Sequence, residues 1–158
     1  MKTTAGVTLV ELLLGLAILA VVWFFCVPFG AQQYKKNQLN LVVDELNTII
    51  HYAKIQALLL GEPLVLTPLP ASDDWSLGMI LFVDNKKHQY TEGSKLIHEW
   101  RWHSDAINVK WQGFQSSHYL LFDNNLRHSA VNGYFLINNN LQQYKVIVNR
   151  VGRTRIEH

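Results

Sequence analysis

The chain has 158 residues, 49% hydrophobic and 11% aromatic, with a formal net charge of +2. That length holds one modest domain plus an appended segment, and the aromatic content is enough to build a core. The single cysteine, Cys26, excludes an internal disulfide, a zinc ribbon and a dithiol redox centre.

Met1 to Gly6 form a short polar leader that ends in glycine, and an uncharged apolar run extends from Leu12 to Phe29. Roughly 20 apolar residues cross a bilayer core as a helix, so residues 7–30 are expected to form a transmembrane segment. Glu11 stands five residues into it, where a carboxylate costs a few kcal/mol on insertion scales. A cleaved secretory signal fits poorly, because its apolar core is shorter and its cleavage site needs small residues. Val27-Pro28-Phe29-Gly30-Ala31 puts phenylalanine in a small-residue position. An ordinary membrane anchor accounts for the length and leaves Glu11 and Gly6 without a role. The positive-inside rule does not orient the segment, since Lys2 lies on one side and Lys35-Lys36 on the other.

Helical spacing continues over residues 31–61. Leu39, Val42, Val43, Leu46, Ile49, Ile50, Ala53, Ala57 and Leu60 recur at three- and four-residue intervals, and Asn40, Asp44, Asn47, Lys54 and Gln56 lie opposite. Gly61 followed by Glu62-Pro63 is a stop signal. A single helix over Val7 to Leu60 would be roughly 80 Å long, at about 1.5 Å per residue.

The remainder, 62–158, reads as strands. Residues 64–67, 78–83, 96–102, 107–111, 118–122, 134–137 and 144–148 are β-prone runs, separated by Pro68 and Pro70, Asp84-Asn85, Asp123-Asn124-Asn125 and Asn138-Asn139-Asn140. Short strands with polar turns predict an antiparallel sheet, and its apolar face needs the helix stripe as a partner. The fold class expected is therefore α+β.

Charge is uneven. From Asn124 onward five cations (Arg127, Lys145, Arg150, Arg153, Arg155) face Glu157 alone, a local charge of +4 on a body otherwise near neutral. Arginine donates bidentately to phosphate and keeps its charge at any relevant pH. Arg153 and Arg155, two apart on an extended segment, project to one side, and Gly152 lets the chain turn before them. Arg150 and Lys145 would widen the patch. The bland alternative is a solvated basic end, or one that pairs with acidic lipid or a neighbouring subunit. His98 and His103 lie near Glu99 and Asp105 without metal-ligand spacing, and Ser116-Ser117-His118 lacks a nucleophile motif. No metal, cofactor or enzymatic activity is expected. Trp75, Trp100, Trp102 and Trp111 suit either core filling or base stacking, with Trp100 and Trp102 on a shared face.

A polar leader ending in glycine, a hydrophobic residue, Thr8-Leu9-Val10-Glu11 and a long apolar helix, with Pro28 within it, together resemble the N-terminus of type IV pilins and pseudopilins. The resemblance implies cleavage by prepilin peptidase between Gly6 and Val7, N-methylation of Val7, and pairing of Glu11 with the N-terminal amine of a neighbouring subunit during filament assembly. It also implies a leader in the cytoplasm, an inner-membrane helix and a periplasmic body that later joins a pilus at the cell surface. In the body, Ala53-Lys54-x-x-Ala57, the Gly61-x-Pro-Leu-Val loop, Trp75 before a Gly-x-x-x-Phe strand, Phe122-Asp123 and a closing Val-x-x-x-Gly-Arg resemble the GspH/FimT group. Gly152-Arg153-Thr154-Arg155 matches the Gly-Arg-x-Arg motif through which some FimT-type minor pilins bind double-stranded DNA during natural transformation. Two alternatives stay open: a GspH-type structural subunit at a type II secretion pseudopilus tip, and a minor pilin that only primes assembly.

Overall fold

The computed structural model describes residues 8–70, 72–102, 107–125, 128–139 and 142–157, and within the helix all side chains except those of 25–32 and 35. Gly6, Val7, His103, Asp105 and Arg127 lie outside the described residues, as does the side chain of Cys26. The chain divides into two units, Met1–Gln38 and Leu39–His158.

Helix α1, Leu9–Leu60, opens in the first unit. Thr8 caps it: its Oγ1 accepts from the Glu11 backbone N–H at 3.3 Å and its carbonyl from that of Leu12 at 3.2 Å. Glu11 therefore occupies the third helical position after a threonine N-cap, where a carboxylate meets the positive end of the helix dipole. Every described side chain from Thr8 to Phe24 is exposed, including Leu9, Trp23 and Phe24. Among the described residues no helix is long and apolar enough to cross a membrane. Of the segment expected to do so, 7–30, side chains are described from Thr8 to Phe24.

In the second unit the expected amphipathic stripe is present. Leu39, Val42, Val43, Leu46, Ile49, Ile50, Ala53 and Ala57 are buried, most of them completely. Leu60, expected to extend the stripe, is 40% exposed, because the helix ends there. Gly61 accomplishes the ending: its φ is +65°, and its N–H reaches the Ala57 carbonyl at 3.1 Å. That left-handed conformation is cheap only for glycine.

The strands are β1 (Leu64–Pro68), β2 (Gly78–Val83), β3 (Leu96–Arg101), β4 (Asn108–Gly113), β5 (Leu120–Phe122), β6 (Gly133–Asn138), β7 (Gln143–Val148) and β8 (Thr154–Glu157). They form two four-stranded antiparallel sheets rather than one, in the orders β3-β2-β1-β5 and β4-β6-β7-β8. Both turn one face toward the helix stripe. Leu64, Leu66, Met79 and Leu81 of the first sheet, and Val109, Trp111, Phe135, Ile137, Val146 and Val148 of the second, share its core. Trp75 lies in a short 3-10 turn that Asp74 caps through the Ser76 N–H at 2.8 Å, and its ring meets Phe135 edge-on at 5.5 Å. Trp100 and Trp102 pack on the same core, Trp100 edge-on to Tyr52 of the helix at 5.7 Å.

The two outer faces differ. In the first sheet Val65, Ile80 and Phe82 are buried beneath Leu69, Tyr90 and Tyr119. In the second sheet β4 and β7 bury every other residue and leave Lys110, Gln112, Lys145 and Ile147 outward.

Phe135 is completely buried between Trp75 and Trp111. Phe135→Ala is expected to cost about 3–5 kcal/mol, and Leu136→Ala, on the half-buried outer face, a small fraction of that. Denaturant unfolding of the two variants provides the comparison.

Candidate functional site

The residues 154–157 that read as a loose basic end form β8, the edge strand of the second sheet. Val146, Ile147 and Val148 of β7 stand opposite Ile156, Arg155 and Thr154. The connection is a short hairpin loop built around Asn149 and Gly152. The Asn149 N–H donates to the Arg153 carbonyl at 3.0 Å and the Gly152 N–H to the Asn149 carbonyl at 2.8 Å. The Asn149 side-chain oxygen accepts from the backbone N–H groups of Val151 and Arg153 at 3.0 and 2.8 Å. Gly152 has φ +71°, which places glycine at the left-handed position that closes a three-residue hairpin. It is buried against the helix, and an added Cβ would lie 3.3 Å from Cδ of Lys54.

The hairpin is fastened on its inner side. The Thr154 hydroxyl hydrogen-bonds Asn47 of the helix, so the residues flanking Thr154 turn outward, and Arg153 and Arg155 are both exposed. Arg155 is 79% exposed, with its Nη2 3.5 Å from Glu157 Oε1. An ion pair this open is worth little in water and leaves the guanidinium available. Lys145 faces the same side, opposite Glu157 in the register, with its Nζ 4.4 Å above the Tyr134 ring.

The five residues of the expected patch therefore do not form one cluster. Arg153, Arg155 and Lys145 share the outer side of the second sheet. Arg150 and Gly152 instead border a small recess with Lys54, Leu58, Asp123 and Ser129. Gly152 serves the turn. Two residues that the tail motif did not suggest join the outer face: Lys110, exposed on β4, and Phe114, 87% exposed just beyond it. The alternation of Asn-Val-Lys-Trp-Gln in β4 is the signal that places Lys110 outward.

A second recess, about 530 Å³, lies on the first sheet's far side among Pro68, Asp73, His88, Tyr90, His118 and Tyr119. His88 has φ +53°, hydrogen-bonds Asp84 at 2.7 Å and stacks on Tyr119 at 4.6 Å. Ser116, at its rim, accepts through its hydroxyl from the His118 backbone N–H at 3.1 Å. Among the described residues no group of three or more His, Cys, Asp or Glu is placed to hold a metal. His98 packs against Trp100 and Tyr52, at 4.4 and 5.6 Å.

A family model described as type II transport protein GspH matches residues 42–152. Two crystal forms of the Pseudomonas aeruginosa PAO1 type IV minor pilin FimU have a similar fold. One superposes with a TM-score of 0.57 at 18% identity, covering 78% of this chain and 91% of that one. The other gives 0.51 at 17% identity, covering 73% and 89%. No curated protein sequence matches this chain.

Removing the Asn149 side chain or the glycine freedom at 152 is expected to loosen β8 selectively. Asn149→Ala and Gly152→Ala should each cost about 1–2 kcal/mol, by loss of the turn's acceptor and by left-handed strain respectively. Faster amide exchange over 154–157, with α1 unchanged, is the expected result.

Proposed function

The chain belongs to the GspH family, and from that premise we propose that it is a FimT-like minor type IV pilin that binds double-stranded DNA during uptake. Family membership makes it a pilin-like structural subunit, a component of a pilus or pseudopilus that works beside other pilins. The observation that carries the finer reading is the β7–β8 hairpin, which holds Arg153 and Arg155 outward on a strand fastened to the helix. Both reach phosphate, Lys145 extends the cationic face, and nothing in the motif reads a base edge. Contacts to about 3–5 phosphates give micromolar, sequence-independent binding that weakens steeply with salt.

The apolar segment supports the rest of the reading. Its described side chains are exposed, with Glu11 the single charge from Leu9 to Phe24. An all-round apolar helix requires lipid or neighbouring helices. In the proposal prepilin peptidase cuts between Gly6 and Val7, Val7 is methylated, and the helix holds the subunit in the inner membrane with its body in the periplasm. Glu11 then pairs with the amine of the adjacent subunit as the helix enters the filament, because a lone carboxylate in apolar surroundings is far costlier than a paired one.

One observation favours a second reading. The matching family model is described as a type II transport protein, which suits a structural subunit of a secretion pseudopilus tip without a nucleic-acid role. Gene deletion separates the two: loss of DNA uptake with secretion intact supports the first, and the converse supports the second.

Binding of labelled duplex to the full chain in non-ionic detergent, titrated across salt, tests the site. Arg153→Gln/Arg155→Gln is expected to lower affinity and to reduce the log–log salt slope by about two units. An unmutated chain that binds no duplex at low salt would sink the DNA reading and leave a secretion or assembly-priming subunit. Glu11→Gln is expected to be cleaved normally yet to be missing from sheared filaments. Its incorporation at the unmutated level would remove the assembly role.

A further inference from the structure

We propose that the outer face of the β4-β6-β7-β8 sheet is a platform for single-stranded DNA, with Phe114 stacking on a base while Lys145 and Arg155 take phosphates. The inference rests on the nucleic-acid reading of the hairpin and adds the state of the strand that this face prefers.

The residues come together through the register. Gln112, Tyr134, Ile147 and Arg155 form one row across the four strands, and Lys110, Leu136, Lys145 and Glu157 form the next. Adjacent strands are about 4.8 Å apart, so the rows run roughly 14 Å from β4 to β8. Phe114 lies at the β4 end, its backbone N–H bonded to the Asn132 carbonyl at 2.8 Å while its ring is 87% exposed. A singly exposed apolar residue is ordinary. What distinguishes Phe114 is its place on the rim of a shallow depression of about 590 Å³ whose floor includes Tyr134, Lys145 and Ile147. The fixed backbone limits the entropy lost when a flat partner settles on the ring.

Charge selects the partner. Within the two rows Lys110, Lys145 and Arg155 face one acid, Glu157, which is already turned toward Arg155, and Arg153 adds a cation at the corner. Lys145 stands over the Tyr134 ring, and the Tyr134 hydroxyl donates to the Gln112 side-chain oxygen, so the ammonium is already placed above the depression. An apolar protein surface would strip water from these cations without replacing it, a costly exchange. A polyanion with flat rings answers both features. Base stacking on an aromatic platform beside a cationic track is how single strands are held without sequence preference. In a duplex the base faces are occupied by one another, so Phe114 adds nothing to duplex binding and only the phosphate contacts remain.

The test uses the full chain in non-ionic detergent with two probes, a short oligothymidylate and a closed circular duplex. Phe114→Ala is expected to weaken the oligothymidylate by about 5- to 100-fold, the usual range for one base–aromatic stack, with duplex affinity unchanged. Phe114→Tyr should restore it. If Phe114→Ala affects neither probe, or both equally, while the unmutated chain binds duplex, the platform is overturned and the phosphate-binding hairpin stands. Should the variant instead lose association with other pilins at unchanged DNA affinity, the face is a subunit contact and the inference falls. An unmutated chain that binds neither probe overturns both readings together.

Discussion

Burial of one helical stripe governs the second unit. Leu39 to Ala57 present a continuous apolar face that neither sheet alone would cover, and each sheet has an apolar face that needs it. Because side chains alternate strictly along a strand, packing one parity on the helix fixes the destination of every other residue. In β7, Tyr144, Val146 and Val148 go inward, so Lys145 and Ile147 go outward. The cationic face thus follows from the core. A one-residue slip would bury Lys145 and expose Val146, at a cost the fold would not sustain.

The hairpin rests on the same constraint, applied locally. Thr154 turns inward to Asn47, and its neighbours have no choice but to face solvent. Asn149 satisfies two loop N–H groups with one side-chain oxygen, which lets an exposed loop keep a single shape with almost no apolar burial. Its charges then act in high dielectric, where screening by salt is strong. That regime suits contact with a large polyanion better than tight pairing between neighbouring side chains.

Much of this was legible in the sequence. The 3.6-residue period announced the buried stripe, and β-prone runs bounded by polar turns placed seven strands within a residue or two of their ends. What remained hidden has physical causes. β8 carries Arg155 and Glu157 and no apolar alternation, since an edge strand satisfies only one neighbour and charges there discourage further pairing; by composition it reads as a tail. The division into two sheets depends on long-range pairing, such as β1 with β5, which no local signal encodes. In sequence Glu11 stands out as a charge in an apolar helix, whereas the structure also places it beside the Thr8 cap. Arg150 resembled its neighbours Arg153 and Arg155, but the turn sends it to the other side of the hairpin. Phe114 has no motif at all; only the register shows what it stands beside.

The fastened hairpin also has a mechanical meaning. Cations on a frayed end would transmit a pull only after the end had straightened. Here a pull on the hairpin passes directly into the ladder between β7 and β8, and through Thr154 and Asn47 into the second unit's stretch of α1. A force on that corner is thus shared between the sheet and the stretch of helix packed on it.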